Sequence, residues 1–349
     1  MRVLLLHGYS ASNAGDGLLV TESIELIRET FPGPVAITVM AMHPDTFDLP
    51  GVRVIDAGLR RPAAIPVYLR ELTRLGKYDL LVGVGGGYLR AGHFSEGVKT
   101  MMAHGPQLLA AALSRTPSVY LPQSVGPFRG GTRVIYSFLL GRLTRIYLRD
   151  DRSVTEAGVS NSVRFPDMAL LTQHYEARSS ASPTERPVVT VRTVRGRMSP
   201  HVKKLASLLP GFDSYVQSRG AGNDDTAAVA SLGAEHELTR GEYLNPAGPR
   251  RVVVAVRLHA ALMALNAGHW VMHLAYERKG FGAFDDLGLR DWVVNVNDFN
   301  ADTVSAKVES LLSNEATRAA YNEQLQHARQ LLGSKRAELI EQIAKLRDV

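Results

Sequence analysis

Arg257-Leu258-His259 stands directly behind the apolar run Val252–Val256 and in front of a helical pattern that starts at Ala260. A strand that apolar is buried on both faces of a sheet. Residues leaving its C-terminal end therefore fall where open α/β sheets bind ligands. A guanidinium there offers a planar fork to a carboxylate or phosphate. An imidazole two residues on can exchange protons near neutral pH. The helix start adds free N–H donors for an anion. A backbone-satisfied histidine and an arginine in a salt bridge would use the same residue types. Two polar residues at one strand end favour chemistry over that explanation.

Other strand ends carry weaker signals. Gly8 to Asp16 forms a Gly-containing turn before a helix, where Asn13 and Asp16 suit a hydroxyl-rich or anionic ligand or simply cap the helix. Gly85-Gly86-Gly87 follows a buried strand and allows close approach of a ligand, or only a tight turn. Gln123-Ser124-Val125-Gly126-Pro127 follows Val119–Leu121, so Gln123 and Ser124 face either sugar hydroxyls or a polar loop. Arg149 ends the strand 145–148, and the Asp150 beside it reads as a helix N-cap. Arg192 and Arg195, and Arg278 and Lys279 in Tyr276-Glu277-Arg278-Lys279, are cations at further strand ends or plain surface charges.

Several chemistries are disfavoured. The chain has no cysteine, so thiolate sites and disulfides are absent. His104, His201 and His273 fall on separate elements, with no metal-ligand spacing, and no metal is expected. No nucleophile elbow, dinucleotide fingerprint or P-loop is present.

The elements that must position these residues alternate between strand and helix. Strands are predicted at 2–7, 35–40, 52–55, 78–84, 118–122, 145–148 and 162–165. Helices are predicted at 18–27, 66–75, 99–114 (split or kinked at Gly105-Pro106), 134–143 and 152–157. A second series has strands at 188–191, 211–217, 251–256, 271–274 and 292–294, with helices at 201–209, 224–232 and 260–265, and a helical end from 301. This alternation predicts parallel sheets covered on both faces. The 349 residues suit two domains. The pattern predicts an N-terminal Rossmann-like domain at 1–172, a linker at 173–187, a C-terminal Rossmann-like domain at 188–312 and terminal helices at 313–349. Fold-level analogy to two-lobed Rossmann proteins adds the expectation that these helices pack back on the first domain.

Charge and hydropathy add little. The formal +6 comes from 40 basic and 34 acidic residues, reads as spread along the chain, and suits an acidic small molecule or an acidic membrane surface. No basic run points to nucleic acid. The apolar start MRVLLLHGYS is strand-length, too short for a signal peptide, and no stretch is long enough to span a membrane.

Taken in order, the Asn13/Gly15/Asp16 turn, Gly85–Gly87, the Gln-Ser-x-Gly-Pro loop, Leu148–Ser153, Phe165-Pro166-Asp167, Gln217 with Gly222–Asp225, Arg257–Ala261, Ala267-Gly268 and Tyr276–Lys279 resemble the polysaccharide pyruvyl transferase family. His269-Trp270 departs from the small residue and proline that the family often has there. The resemblance implies a GT-B-like fold, with two Rossmann-like domains facing each other across a cleft. It implies transfer of pyruvate from phosphoenolpyruvate to sugar hydroxyls as a ketal, without another cofactor. By position it makes His259 and Arg257 catalytic. Arg149, Leu258, Lys279 and Arg192 are expected at the donor, and Asn13, Asp16, Gly86 and Gln123 at the acceptor. The acceptor would be a sugar or lipid-linked oligosaccharide, and the enzyme cytoplasmic, with at most a peripheral contact to the inner membrane face. A GT-B glycosyltransferase using a nucleotide sugar, and a non-catalytic glycan-binding protein, fit the same residues.

Overall fold

The computed structural model describes residues 1–59, 61–171, 182–194, 196–219, 224–245 and 247–348. Most of the expected linker, together with Arg195, Gly222 and Asn223, lies outside them. The chain divides into two compact units: Met1–Ala11, Gly15–Leu171 and Ser334–Val349 form one, Ser12–Ala14 and Thr172–Gly333 the other.

The first unit holds β1 (Arg2–Gly8), α1 (Ala14–Thr30), β2 (Ala36–Ala41), β3 (Arg53–Asp56), α2 (Ile65–Leu72), β4 (Leu80–Gly83), β5 (Gly86–Ala91), α3 (Phe94–Ala103), α4 (Gly105–Leu113), β6 (Ser118–Phe128), α5 (Gly131–Gly141), β7 (Arg145–Leu148), α6 (Asp151–Ala157) and β8 (Ser162–Arg164). Its strands form one parallel sheet in the order β3-β2-β1-β4-β6-β7-β8, with β5 paired to β6. Val3 to Leu6 are fully buried, as a central parallel strand covered on both faces requires. Each such aliphatic side chain contributes about 1.5–3 kcal/mol relative to exposure.

Two predicted loops are strand instead. Gly86 pairs with Gln123, Leu89 with Val125 and Ala91 with Phe128, and the register shifts twice along the way. The irregular register explains how a strand holds Pro122 and Pro127, since proline is tolerated in strands mainly at such irregularities. The helix predicted over 99–114 is split where Gly105-Pro106 begins α4.

The second unit holds β9 (Val188–Thr190), α7 (Pro200–Leu208), β10 (Asp213–Ser214), α8 (Thr226–Ala230), α9 (Arg240–Leu244), β11 (Val252–Ala255), α10 (Leu258–Asn266), β12 (Trp270–Ala275), α11 (Arg278–Asp286), β13 (Val293–Asn295), α12 (Ala301–Ser313) and most of α13 (Glu315–Lys345). The sheet is parallel, ordered β10-β9-β11-β12-β13. The strand predicted at 211–217 shrinks to two residues, and α9 and α11 were not anticipated. A capping box between Thr239 and Glu242 starts α9.

The end of α13 belongs to the first unit, where Arg336 is buried. It donates to Glu29 at 2.9 Å and to the Leu171 carbonyl at 2.8 Å, and lies 3.8 Å from the buried Glu22. Removing one partner of a buried ion pair leaves an uncompensated charge. Arg336→Ala is therefore expected to lower the unfolding free energy by about 3 kcal/mol in urea titrations. A loss below about 1 kcal/mol, the range of an exposed pair, would contradict this role.

Candidate active site

The second unit gathers polar groups at the C-terminal edge of its sheet. Arg257 follows β11 as the N-cap of α10 and is buried. Its guanidinium forks onto the Asp225 carboxylate, with Nη2 2.8 Å from Oδ1 and Nε bonded to Oδ2. Burial raises the Asp225 pKa, while the hydrogen bonds and charge of Arg257, and the charge of Arg192, oppose the rise. With two guanidinium nitrogens on it, we take the carboxylate to be ionised at neutral pH.

His259 is half-buried in the first turn of α10. Leu258 between them is buried and packs in the core, so only its backbone N–H at the helix start can meet a ligand. Arg192, beyond β9, donates from Nη1 to the Tyr276 hydroxyl at 2.9 Å and lies over that ring, 4.9 Å from its centroid. Lys279, in the first turn of α11, pairs with Glu277 at 3.0 Å. Thr190 Oγ1, Gln217 Oε1 and Ser218 Oγ are buried at this end of the unit without a partner among the described residues. Thr190 ends β9, and the Ser218 carbonyl accepts the Asp225 N–H at 2.8 Å. Buried polar groups are nearly always paired, so each of these calls for water or a ligand.

The first unit has its own cluster. Arg149, behind β7, is buried; it donates to Ser124 Oγ at 2.9 Å and pairs with Asp167. Ser124 donates in turn to Asp150, which caps α6 through the Ser153 N–H. A side chain at Gly87 would crowd Arg149 Nη2, at 3.3 Å. The Gln123 side chain is fully buried, and both ends of its amide lack a partner among the described residues. Gly86 pairs with Gln123 across β5 and β6. Gln123, Gly86 and Arg149 are thus brought together. Asp16 sits half-buried in the first turn of α1, while Asn13 forms an antiparallel bridge with Ser218 and groups with the second unit.

Sequence reasoning passed over a buried aromatic and imidazole cluster. His7, the penultimate residue of β1, has φ of 69°, a left-handed conformation uncommon outside glycine. Its Nε2 is 2.8 Å from the Tyr120 hydroxyl, and its ring stacks on Tyr88, which also meets His104. Burial holds His7 well below the usual imidazole range and brings His104 down to about 4. His273 in β12, likewise buried, falls to about 4. A histidine near the end of an otherwise apolar strand was the available signal, much like the one that drew attention to Arg149 behind β7. Among the described residues no three His, Asp or Glu side chains are grouped as metal ligands.

Proteins of known structure share this architecture. The spinosyn forosaminyltransferase SpnP superimposes with a TM-score of 0.55, 10% identity and 100% of both chains covered. The kitacinnamycin glycotransferase gives 0.55, 12% identity, and 99% of this chain and 98% of that one. These likenesses define the fold, which is GT-B-like: α/β, with two Rossmann-like units. The chain belongs to the polysaccharide pyruvyl transferase family, whose model matches residues 13–278, a span that includes Arg149, Arg192, Arg257 and His259 and leaves out His7 and Lys279. It is accordingly an enzyme of that class. The amylovoran biosynthesis protein AmsJ of Erwinia amylovora is 23% identical, over 74% of this chain and 71% of that one.

Two outcomes follow from the electrostatics. Asp225→Ala leaves Arg257 buried without its carboxylate and is expected to destabilise the protein by about 3–5 kcal/mol. An unchanged urea midpoint would refute the pairing. For His7, His104 and His273 the folded value lies below the ordinary 6.5. As pH falls below about 6.5 the unfolded chain takes up protons that the folded one refuses, so stability drops toward about pH 4 by about 1.4 kcal/mol per pH unit for each group. Melting temperatures measured down this range should fall, and His104→Gln should flatten the slope. A flat wild-type profile would contradict the neutral, buried assignment.

Proposed function

We propose that this enzyme transfers the pyruvyl group of phosphoenolpyruvate to hydroxyls of a saccharide acceptor, with the donor held at the C-terminal edge of the second sheet. The observation that carries this reading is Arg257, fixed by Asp225 at the start of α10 with His259 two residues on. Phosphoenolpyruvate bears a carboxylate and a phosphate, so its site needs several cations. Arg257, Arg192 and Lys279 come from three successive strand ends of one sheet, and the N–H groups at the start of α10, Leu258 among them, add donors. Thr190, Gln217 and Ser218 are available to complete the polar lining.

In the proposed reaction an acceptor hydroxyl oxygen bonds to C2 of the donor while C3 gains a proton and becomes a methyl group. The hydroxyl loses its proton to a base. A second hydroxyl then bonds to C2 as the C2–O bond to phosphate breaks, and its proton passes to the departing phosphate. The products are a cyclic ketal and inorganic phosphate. His259 is the proposed proton carrier, because it is half-buried whereas His7, His104 and His273 are sealed inside. The scheme asks for no metal or further cofactor. Arg149 enters as a carboxylate or phosphate ligand. Gln123, Gly86, Asp16 and Asn13 enter on the acceptor side, where the unpartnered Gln123 amide suits a sugar hydroxyl. The acceptor is proposed to be a precursor of a cell-surface polysaccharide, handled in the cytoplasm.

The test is phosphate release from phosphoenolpyruvate over a panel of simple and lipid-linked glycoside acceptors. Release should depend on acceptor, and His259→Ala should lower turnover by about 10²-fold or more. Arg257→Lys should raise the KM for the donor, since a point charge cannot replace the fork. Unchanged turnover in His259→Ala would remove that assignment. No release from any acceptor, together with thermal protection by a nucleotide sugar, would transfer the site to glycosyl transfer.

A further inference from the structure

The net charge of this protein is not spread along the chain, as its sequence first suggests. Between Arg90 and Arg145 stand seven of its forty Lys and Arg residues and only one of its thirty-four Asp and Glu residues. That stretch carries a formal +6, equal to the charge of the whole chain, and the remaining residues balance. It is also the stretch that builds α3, α4 and α5.

These helices bury one side in the first unit, through Thr100, Leu108, Ala111, Tyr136 and Leu139. An ordinary surface helix would be polar on the other side. Here the other side is apolar as well. Phe94 is 90% exposed, Val134 73% and Met102 65%, and Leu113, Ile135 and Phe138 are also exposed. Nine of the sixteen exposed large apolar side chains among the described residues lie on these three helices. A groove of about 620 Å³ runs between α3 and α5, with Phe94, Val98 and Met101 on one wall and Ile135 on the other. Monomeric soluble proteins rarely leave so much apolar surface contiguous without a use for it.

The charge identifies the occupant. Lys99, Arg115, Arg129, Arg133 and Arg142 are all exposed on or beside these helices, and Arg129 lines the groove itself. The stretch's only acid, Glu96, is half-buried and accepts the Gly92 N–H at 2.9 Å. Glu156 on the adjoining α6 is engaged by the Phe128 N–H and by Arg152. A second copy of the same face would set like charge against like. An anionic bilayer matches both features, with apolar side chains entering the acyl boundary and each basic residue near the surface adding about 1 kcal/mol.

We infer that the α3–α4–α5 face docks on an anionic lipid surface. The inference does not depend on the donor chemistry. Among the described residues no helix is long and apolar enough to cross a membrane, so the contact is peripheral.

The test is flotation of the full chain with vesicles of phosphatidylglycerol and phosphatidylcholine, against phosphatidylcholine alone, at low and high salt. Binding should favour the anionic vesicles by at least about tenfold and weaken with salt. The pairs Phe94→Ser with Phe138→Ser, and Arg129→Glu with Arg133→Glu, should each reduce it by at least about tenfold. Melting temperature and phosphate release with a water-soluble acceptor should stay unchanged, because these side chains are exposed and away from the proposed site. Absent binding, or binding indifferent to salt and to both pairs, would overturn the inference. So would a wild-type dimer split by the Phe94→Ser pair with no vesicle binding, which would give the face to a second copy.

Discussion

Both sheets end a buried strand on an arginine that is itself buried against an aspartate. Arg149 follows β7 and pairs with Asp167, and Arg257 follows β11 and pairs with Asp225. Neither pair is a cheap way to gain stability. Desolvating two charges can cost more than their attraction returns, and apolar replacements often do as well or better. What the pairs provide is orientation. A guanidinium gripped by a carboxylate keeps its plane fixed, and its remaining N–H groups point in a set direction. For a ligand with a carboxylate or phosphate, that plane is half of the recognition geometry.

The contrast among the histidines follows from the same dielectric logic. His7, His104 and His273 lie inside, each held neutral well below neutral pH. Such a group is a poor proton carrier at neutral pH, since charging it means bringing a cation into an apolar interior. His259 is half-buried, in the same helical turn as a fixed cation. Its role is therefore distinguished by burial before any chemistry is invoked.

The parts that were legible in the sequence are those where one local pattern decides the outcome. Five apolar residues followed by Arg-Leu-His place a strand, its buried centre and its ligand-facing end in one reading. Most strand positions of both sheets came out the same way. Asp225 was not legible as the partner of Arg257, because 32 residues separate them and an aspartate in the first turn of the predicted helix 224–232 is already accounted for by the helix dipole. The strand character of β5, and of β6 beyond Pro122, was hidden for a different reason. Glycine and proline mark turns in any local reading, and only the pairing of the two segments, with its shifted register, makes strands of them. The charge concentration at α3 to α5 escaped because seven cations over so many residues form no run, and the five exposed ones come together only when three helices share a surface.

The strand pair β5 and β6 also relates the two surfaces of the first unit. At one end lie Gly86 and Gln123, the proposed acceptor contacts. At the other, Ala91 and Phe128 lead directly into α3 and to Arg129, which line the apolar groove. Five residues of extended chain span about 16 Å. A bilayer seated on that face would hold its headgroup layer within reach of a saccharide whose first sugars lie over Gln123. Acceptors anchored in lipid would then arrive with their sugars already near the sheet edge, and the search for the site would be confined to a surface rather than to the bulk. On this view the length of the irregular strand pair sets the distance between the docking face and the sheet edge.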